Sequence, residues 1–250
     1  MSSKLRIWVT GASEGIGLGL LQHYQNLGWQ TVGSSRRTQG PAEADYWIPA
    51  DLSDSADQIS AVNQLMTEVG WPDLVVLNAG VGHWATADES ARSDAERVFA
   101  LNYWAPVEIT RLLAQRAEGR GLHVIVISSI AARFGQQKLA TYSASKAAVA
   151  LWAESVNEEW QRSAHRIQLI LPGVVSTNIM RHSIGRDGQA LGDRAGAHRG
   201  WSVERTVRAI ERATRSGRFA HILASPGVRL ALILHDLCPS IFYLLLRRKP

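Results

Sequence analysis

The sequence predicts an α/β chain built on a doubly wound parallel sheet. Short β-rich runs alternate with helix-length segments along the whole chain, and a glycine-rich turn follows the first of them. Two runs, Leu74-Val75-Val76-Leu77 and Val124-Ile125-Val126-Ile127, are apolar at every position. A half-solvated strand would alternate with polar residues, so these read as strands covered by helices on both faces.

Strands are expected over residues 5–10, 31–35, 46–49, 74–78, 122–128, 167–171 and 221–223. Helices are expected over 15–27, 56–69, 89–117, 141–162 and 203–216. Strand-helix-strand alternation of this kind gives a parallel sheet between helical layers. No internal repeat, low-complexity tract or linker interrupts the series, so residues 1–250 read as one domain. Residues 178–200 are rich in Gly, Arg and His and show no clear period. Long irregular segments in compact domains are usually functional, which makes this stretch the expected substrate lid.

A content of 46% hydrophobic and 20% charged residues suits a globular chain with one sizeable core. The 27 basic and 22 acidic residues leave a formal charge of +5, but the basic residues are scattered, so nucleic-acid binding is not expected. Cys238 is the single cysteine, which rules out an intrachain disulfide and a thiolate metal cluster and fits a reducing cytoplasm. The eight histidines show no close ligand spacing, so no metal is expected. Residues 1–6 lack the apolar stretch of a secretory signal and lead straight into the first strand, and a cytoplasmic location is expected.

Residues 228–246 are strongly apolar and about as long as a membrane span of roughly 20 residues. Arg229, His235, Asp236 and Pro239 divide them into two shorter apolar runs. The 228–250 extension therefore reads as a buried carboxy-terminal helix, a substrate lid or a subunit contact rather than a span, with a monotopic membrane contact as the alternative. The Arg247-Arg248-Lys249 cluster that follows reads as solvated charge or as a contact to an anionic surface.

The turn after the first strand is Thr10-Gly11-Ala12-Ser13-Glu14-Gly15-Ile16-Gly17, opening a helix. Glycines there let the backbone turn tightly and approach a pyrophosphate, whose charge is met by amide donors and the positive end of the helix dipole. Gly11, Ser13, Glu14, Gly15, Ile16 and Gly17 are thus candidate cofactor contacts. Farther on, Tyr142 and Lys146 are four residues apart on an expected helix and share one face. A phenol of reference pKa about 10 is a poor proton carrier near neutrality, and a neighbouring ammonium favours its phenolate.

The Thr-Gly-x-x-x-Gly-x-Gly spacing resembles the cofactor loop of the short-chain dehydrogenase/reductase family, and the rest of that family's pattern follows in order from Thr10 to Thr177. The resemblance implies a Rossmann-like sheet of about seven strands in the order 3-2-1-4-5-6-7. It implies that Asp51-Leu52 contacts the adenine and that Asn78-Ala79-Gly80 is the family's strand-end signature. It also matches Pro172-Gly173-Val174-Val175-Ser176-Thr177 to the segment whose threonine contacts the nicotinamide carboxamide, although Thr177 could equally cap the next helix. Family members that prefer NAD place an acid at the end of the second strand, where this chain reads Ser34-Ser35-Arg36-Arg37. A carboxylate there would repel a 2′-phosphate and a guanidinium would pair with it, so Arg36 and Arg37, helped by Ser13, point to NADP(H) over NAD(H).

By the same resemblance Tyr142 is the general acid/base, Lys146 its partner and a cofactor-ribose contact, and Ser129 the hydroxyl that polarises the substrate oxygen. Ser128 is the neighbouring alternative. Asn102 is the fourth member. Pro106 has no N–H, so the Asn102 carbonyl loses its helical partner and can hold a water that carries protons to solvent. The implied activity is the interconversion of a ketone or aldehyde with its alcohol by a homodimer or homotetramer. The pocket would draw on residues 81–87, the region after Arg133 and residues 178–200, and His83, Trp84 and Phe134 suggest an apolar substrate. The rival readings are a catalytically silent NADP(H)-sensing regulator and a membrane-associated reductase of lipid carbonyls.

Overall fold

The computed structural model describes residues 4–196 and 200–247. Residues 197–199 of the expected lid, residues 248–250 of the basic end and residues 1–3 lie outside the described residues.

Among the described residues nine strands form, in chain order: β1 Arg6–Thr10, β2 Gln30–Ser35, β3 Tyr46–Pro49, β4 Leu74–Leu77, β5 His83–Trp84, β6 His123–Ile127, β7 Arg166–Pro172, β8 Ile184–Gly185 and β9 Ala220–Leu223. Seven of them make one parallel sheet in the order β3-β2-β1-β4-β6-β7-β9. This is the expected order, with numbers 5 and 8 taken by two-residue strands that pair only with each other, His83 beside Ile184 and Trp84 beside Gly185. The sequence carried no pattern for them because two residues are too few to show a period.

The helices are α1 Gly15–Asn26, α2 Ser55–Gln64, α3 Arg92–Phe99, α4 Ala105–Gln115, α5 Ala140–Trp160, α6 Ile179–His182, α7 Val203–Arg215, α8 Pro226–Leu237 and α9 Pro239–Arg247. Each central strand sends successive side chains to opposite faces, and both faces are apolar because both are roofed. Trp8, Val75, Val124, Val126 and Leu169 pack under Val62 of α2, Ile109 of α4 and Val149 of α5. Ile7, Val9, Val76, Ile125 and Ile170 pack under Leu20 and Leu21 of α1 and Ile210 of α7. The two layers account for the unbroken apolar runs. They also leave the carboxyl ends of β1 and β4, where the strand order reverses, as the place where a ligand can enter.

Two expected segments differ in form. The helix expected over 89–117 is α3 and α4 joined through a π-helical turn, Ala100–Trp104, just ahead of Pro106. Residues 228–246 do not make a single buried helix. Pro239 starts a second helix, since the residue before a proline is driven out of the helical region, and Cys238 sits there at φ −142°, ψ 68°. Only the inner sides of α8 and α9 are covered: Leu232 and Phe242 are buried, and Phe134 meets Phe242 edge-on at 5.1 Å between ring centres.

Candidate active site

The glycine turn is held by the strand-end signature opposite it. Asn78 Nδ2 donates to the carbonyls of Thr10 (3.0 Å) and Gly11 (3.1 Å), while the Thr10 hydroxyl oxygen accepts from the backbone N–H groups of Asn78 and Ala79, both at 3.0 Å. Asn78 therefore ties the loop to β4. Gly11 turns the chain at φ +64°, and a Cβ on it would stand 2.8 Å from the Ala79 Cα. A Cβ on Gly17 would stand 2.2 Å from the Gly11 carbonyl oxygen. Glu14 precedes α1 with extended backbone and makes no side-chain cap to it. The first-turn amides of Gly15, Ile16 and Gly17 are thus left by that side chain for an anion, which fits a pyrophosphate.

The Glu14 carboxylate is turned elsewhere. His182 Nε2 lies 2.8 Å from Glu14 Oε1, Asn178 Nδ2 donates to Glu14 Oε2 at 3.4 Å, and the Arg37 guanidinium lies 4.0 Å away. Residues 178 and 182 are too far from 14 in the chain for any sequence period to have linked them. Thr177 leans on the same loop, its Cγ2 3.2 Å from where a Gly15 Cβ would be. Asn178, and not Thr177, precedes α6, so the capping alternative for Thr177 is not what forms.

At the end of β2 the two arginines are exposed. Arg37 donates to the Ser13 carbonyl at 3.5 Å, its own carbonyl accepts from Trp47 Nε1 at 2.7 Å, and the Ser35 hydroxyl oxygen accepts from its N–H at 3.1 Å. The Arg36 guanidinium makes no hydrogen bond or ion pair among the described residues, leaving all five donors for a ligand. Asp51 is occupied by its own turn, accepting from Ser53, while the Leu52 carbonyl accepts from Gln58. Pro172 ends β7, the Gly173 N–H donates to Leu223, and Val175 bridges to Trp201, so this segment leaves the sheet at its carboxyl end.

The expected catalytic residues meet at the same end. Lys146 is buried, and its Nζ donates to the Ile127 carbonyl at 3.0 Å. Burial lowers its pKa to about 8. Burial pushes the Tyr142 phenol above its ordinary value, and interaction with the Ser129 hydroxyl works in the opposite direction. Ser129 Oγ accepts from the Ala131 N–H at 3.1 Å, so its own proton points to the Tyr142 phenol, the interaction that works against burial there. Ser128 is excluded from that role, because its buried hydroxyl donates to the Lys146 carbonyl at 2.8 Å.

Asn102 lies in the π-turn and is buried. Its amide brackets Val81, accepting from the N–H and donating to the carbonyl, both at 2.9 Å, and it also donates to Ser145 Oγ at 3.0 Å. Ser145 in turn donates to the Tyr142 carbonyl at 2.8 Å. Sequence reasoning gave Ser145 no role, though it stands between Tyr142 and Lys146. A Cβ on Gly80 would fall 3.1 Å from Asn102 Oδ1 and 3.2 Å from Lys146 Nζ, so glycine there lets the three segments meet. Two surface hollows, of about 540 Å³ around Trp71, Arg120 and Arg166 and about 460 Å³ around Trp160 and Arg218, lie away from this cleft and contain none of these groups.

A cofactor loop and a Ser-Tyr-Lys set brought to one switch point define an oxidoreductase of the dinucleotide-binding class. The short chain dehydrogenase family profile matches residues 6–187, and the chain belongs to the short-chain dehydrogenase/reductase family. Dehydrogenase/reductase SDR family protein 7-like from Drosophila melanogaster is 24% identical over 260 residues, 97% of this chain and 79% of that protein. The fold is shared with a short chain dehydrogenase from Burkholderia cenocepacia in complex with NADP, at TM-score 0.80 and 21% identity, covering 98% of both chains. It is also shared with 3-ketoacyl-(acyl-carrier-protein) reductase from Brucella melitensis complexed with NADH, at TM-score 0.73 and 20% identity, covering 89% of this chain and 97% of that one.

Proposed function

We propose that the protein is an NADP(H)-dependent reductase of ketones or aldehydes, working reversibly on the alcohols, with Tyr142 as general acid/base. The observation that carries this reading is the meeting of the Ser129 hydroxyl, the Tyr142 phenol and the buried Lys146 beside the glycine loop. When bound, NADPH supplies the hydride for the carbonyl carbon. Ser129 turns its hydroxyl proton from the phenol to the substrate oxygen and holds it, and Tyr142 delivers a proton to that oxygen. Burial favours the protonated phenol, which suits the acid role in reduction. Lys146, with a pKa of about 8, is poised to take up and release protons near neutrality. Asn102 holds Val81 and Ser145 around this pair, and its own carbonyl, denied a helical partner by Pro106, can hold the water that resupplies the proton.

Arg36 and Arg37 support NADP(H), since no acid stands at the end of β2 to hold a free ribose hydroxyl pair. The described part of the expected lid, residues 178–196, is tied to the glycine loop through His182 and Asn178 and closes over the substrate. Trp84 and Phe134 favour an apolar substrate. Exposed Trp104, on the turn that carries Asn102, and Leu151, on the helix that carries Tyr142, favour a homo-oligomer built there, and the single cysteine suits the cytoplasm.

The test is parallel titration with NADPH and NADH, read by quenching of the nine tryptophans. NADPH should bind more tightly, and Arg36→Asp should reverse the order. Tyr142→Phe should lower carbonyl reduction by about 10²- to 10⁴-fold with NADPH binding retained. Binding of neither nucleotide would overturn the reading.

A further inference from the structure

Fifteen large apolar side chains are exposed among the described residues, and seven of them belong to α8 and α9, a density that no other part of the surface approaches. On α8, Leu230, Ile233 and Leu237 fall at i, i+3 and i+7; on α9, Ile241, Leu244 and Leu245 fall at i, i+3 and i+4. Each set is one stripe of its helix. Leu230 is 67% and Leu237 76% exposed, whereas Leu232 and Phe242 on the inner sides are buried. The pair of helices is thus packed on one side, where Phe134 and His235 meet Phe242, and bare on the other.

Its charge is one-sided as well. Arg229 is exposed on α8, and the sequence leaving α9 reads Arg247-Arg248-Lys249. The only acid in the pair, Asp236, is held by Arg133 at 2.6 Å. Aliphatic stripes beside basic residues match a bilayer whose headgroups are anionic, the stripes entering the acyl boundary and the basic end meeting lipid phosphates. We propose that α8 and α9 form a monotopic docking surface for an anionic membrane. No described helix is long and apolar enough to cross one, so the contact lies in the interface plane. A second copy of this chain is a poorer occupant, since it would set like charge against like. The inference goes beyond the oxidoreductase reading, and its test needs no turnover.

The experiment is co-sedimentation of the full chain with vesicles of phosphatidylcholine alone and of phosphatidylcholine mixed with phosphatidylglycerol. The protein should bind the anionic vesicles and bind the neutral ones weakly. Replacing the three terminal basic residues together (Arg247→Gln, Arg248→Gln, Lys249→Gln) should lower the partition coefficient about a hundredfold, and Leu237→Asp with Leu244→Asp at least about tenfold. Circular dichroism establishes that each variant is folded, and light scattering gives its oligomeric state. Absence of binding to either vesicle overturns the proposal, as does equal binding to both. Loss of a dimer in the Leu237→Asp, Leu244→Asp variant, without vesicle binding by the parent, assigns the surface to a second copy instead.

Discussion

Lys146 Nζ reaches the Ile127 carbonyl at 3.0 Å, so the ammonium is fixed at the end of the strand that leads into Ser129. Burial lowers its pKa from 10.5 to about 8. The folded state therefore releases a proton that the unfolded chain keeps between these two values, and stability rises with pH across that window. Below about pH 8 the buried charge costs about 3 kcal/mol, and above about pH 10.5 the cost is gone. Lys146→Met should be inactive yet more stable than the parent by about 2 to 3 kcal/mol at pH 7, after about 1 kcal/mol for the lost hydrogen bond. Urea unfolding at pH 7 and pH 10.5 checks this; a stability difference that does not shrink with pH counts against it.

Asn102 is a second buried group whose loss can be measured. Asn102→Leu leaves the N–H and carbonyl of Val81 and the Ser145 hydroxyl without the partners they have now. Unpaired buried groups cost about 1 to 3 kcal/mol each, and partial relaxation keeps the sum near 2 to 4 kcal/mol. Chemical denaturation should show that loss. A change below about 0.5 kcal/mol would mean that water replaces the amide.

The strands and the larger helices were legible because the central runs are apolar at every position, and the two helical layers on the sheet explain why. The glycine loop and the Tyr142 to Lys146 spacing were legible because both are local: a strand-to-helix turn and one helix face. What the sequence concealed was long-range or very short. The pairing of β5 with β8 involves two residues on each side. The contact of His182 with Glu14 joins a helix of four residues to the first loop. Pro239 was visible as a divider, but whether the apolar runs on its two sides would be covered depended on what packs against them, which no local pattern encodes.

Gly17 and Gly217 make a contrasting pair. A Cβ on Gly17 would meet backbone at 2.2 Å, which neither a rotamer change nor a small shift relieves, while a Cβ on Gly217 meets nothing within 4 Å. Gly17→Ala should destabilise by several kcal/mol and abolish nucleotide binding, because α1 must move off the turn that carries the anion-binding amides. Gly217→Ala should leave binding intact and stabilise by up to about 0.5 kcal/mol through the unfolded chain. Thermal melts and NADPH titration of both variants decide it; a well-folded, nucleotide-binding Gly17→Ala would show that this loop is more pliable than its contacts indicate.

His182 and Glu14 are 55% and 32% exposed in their side chains, so the 2.8 Å contact between them contributes under about 1 kcal/mol to stability. Its effect should be sought in release of the nucleotide, because it ties residues 178–182 to the loop over which the pyrophosphate would lie. His182→Ala should leave the melting temperature within about 2 °C of the parent and speed NADPH dissociation by about two- to fivefold, the range open to a contact of this size. Glu14→Gln should do the same, and the double variant should be no faster than either single one, since both remove one interaction. Stopped-flow displacement of bound NADPH measures all four rates. Additive effects in the double variant would place the two side chains on separate routes, with His182 holding the segment closed through some other contact.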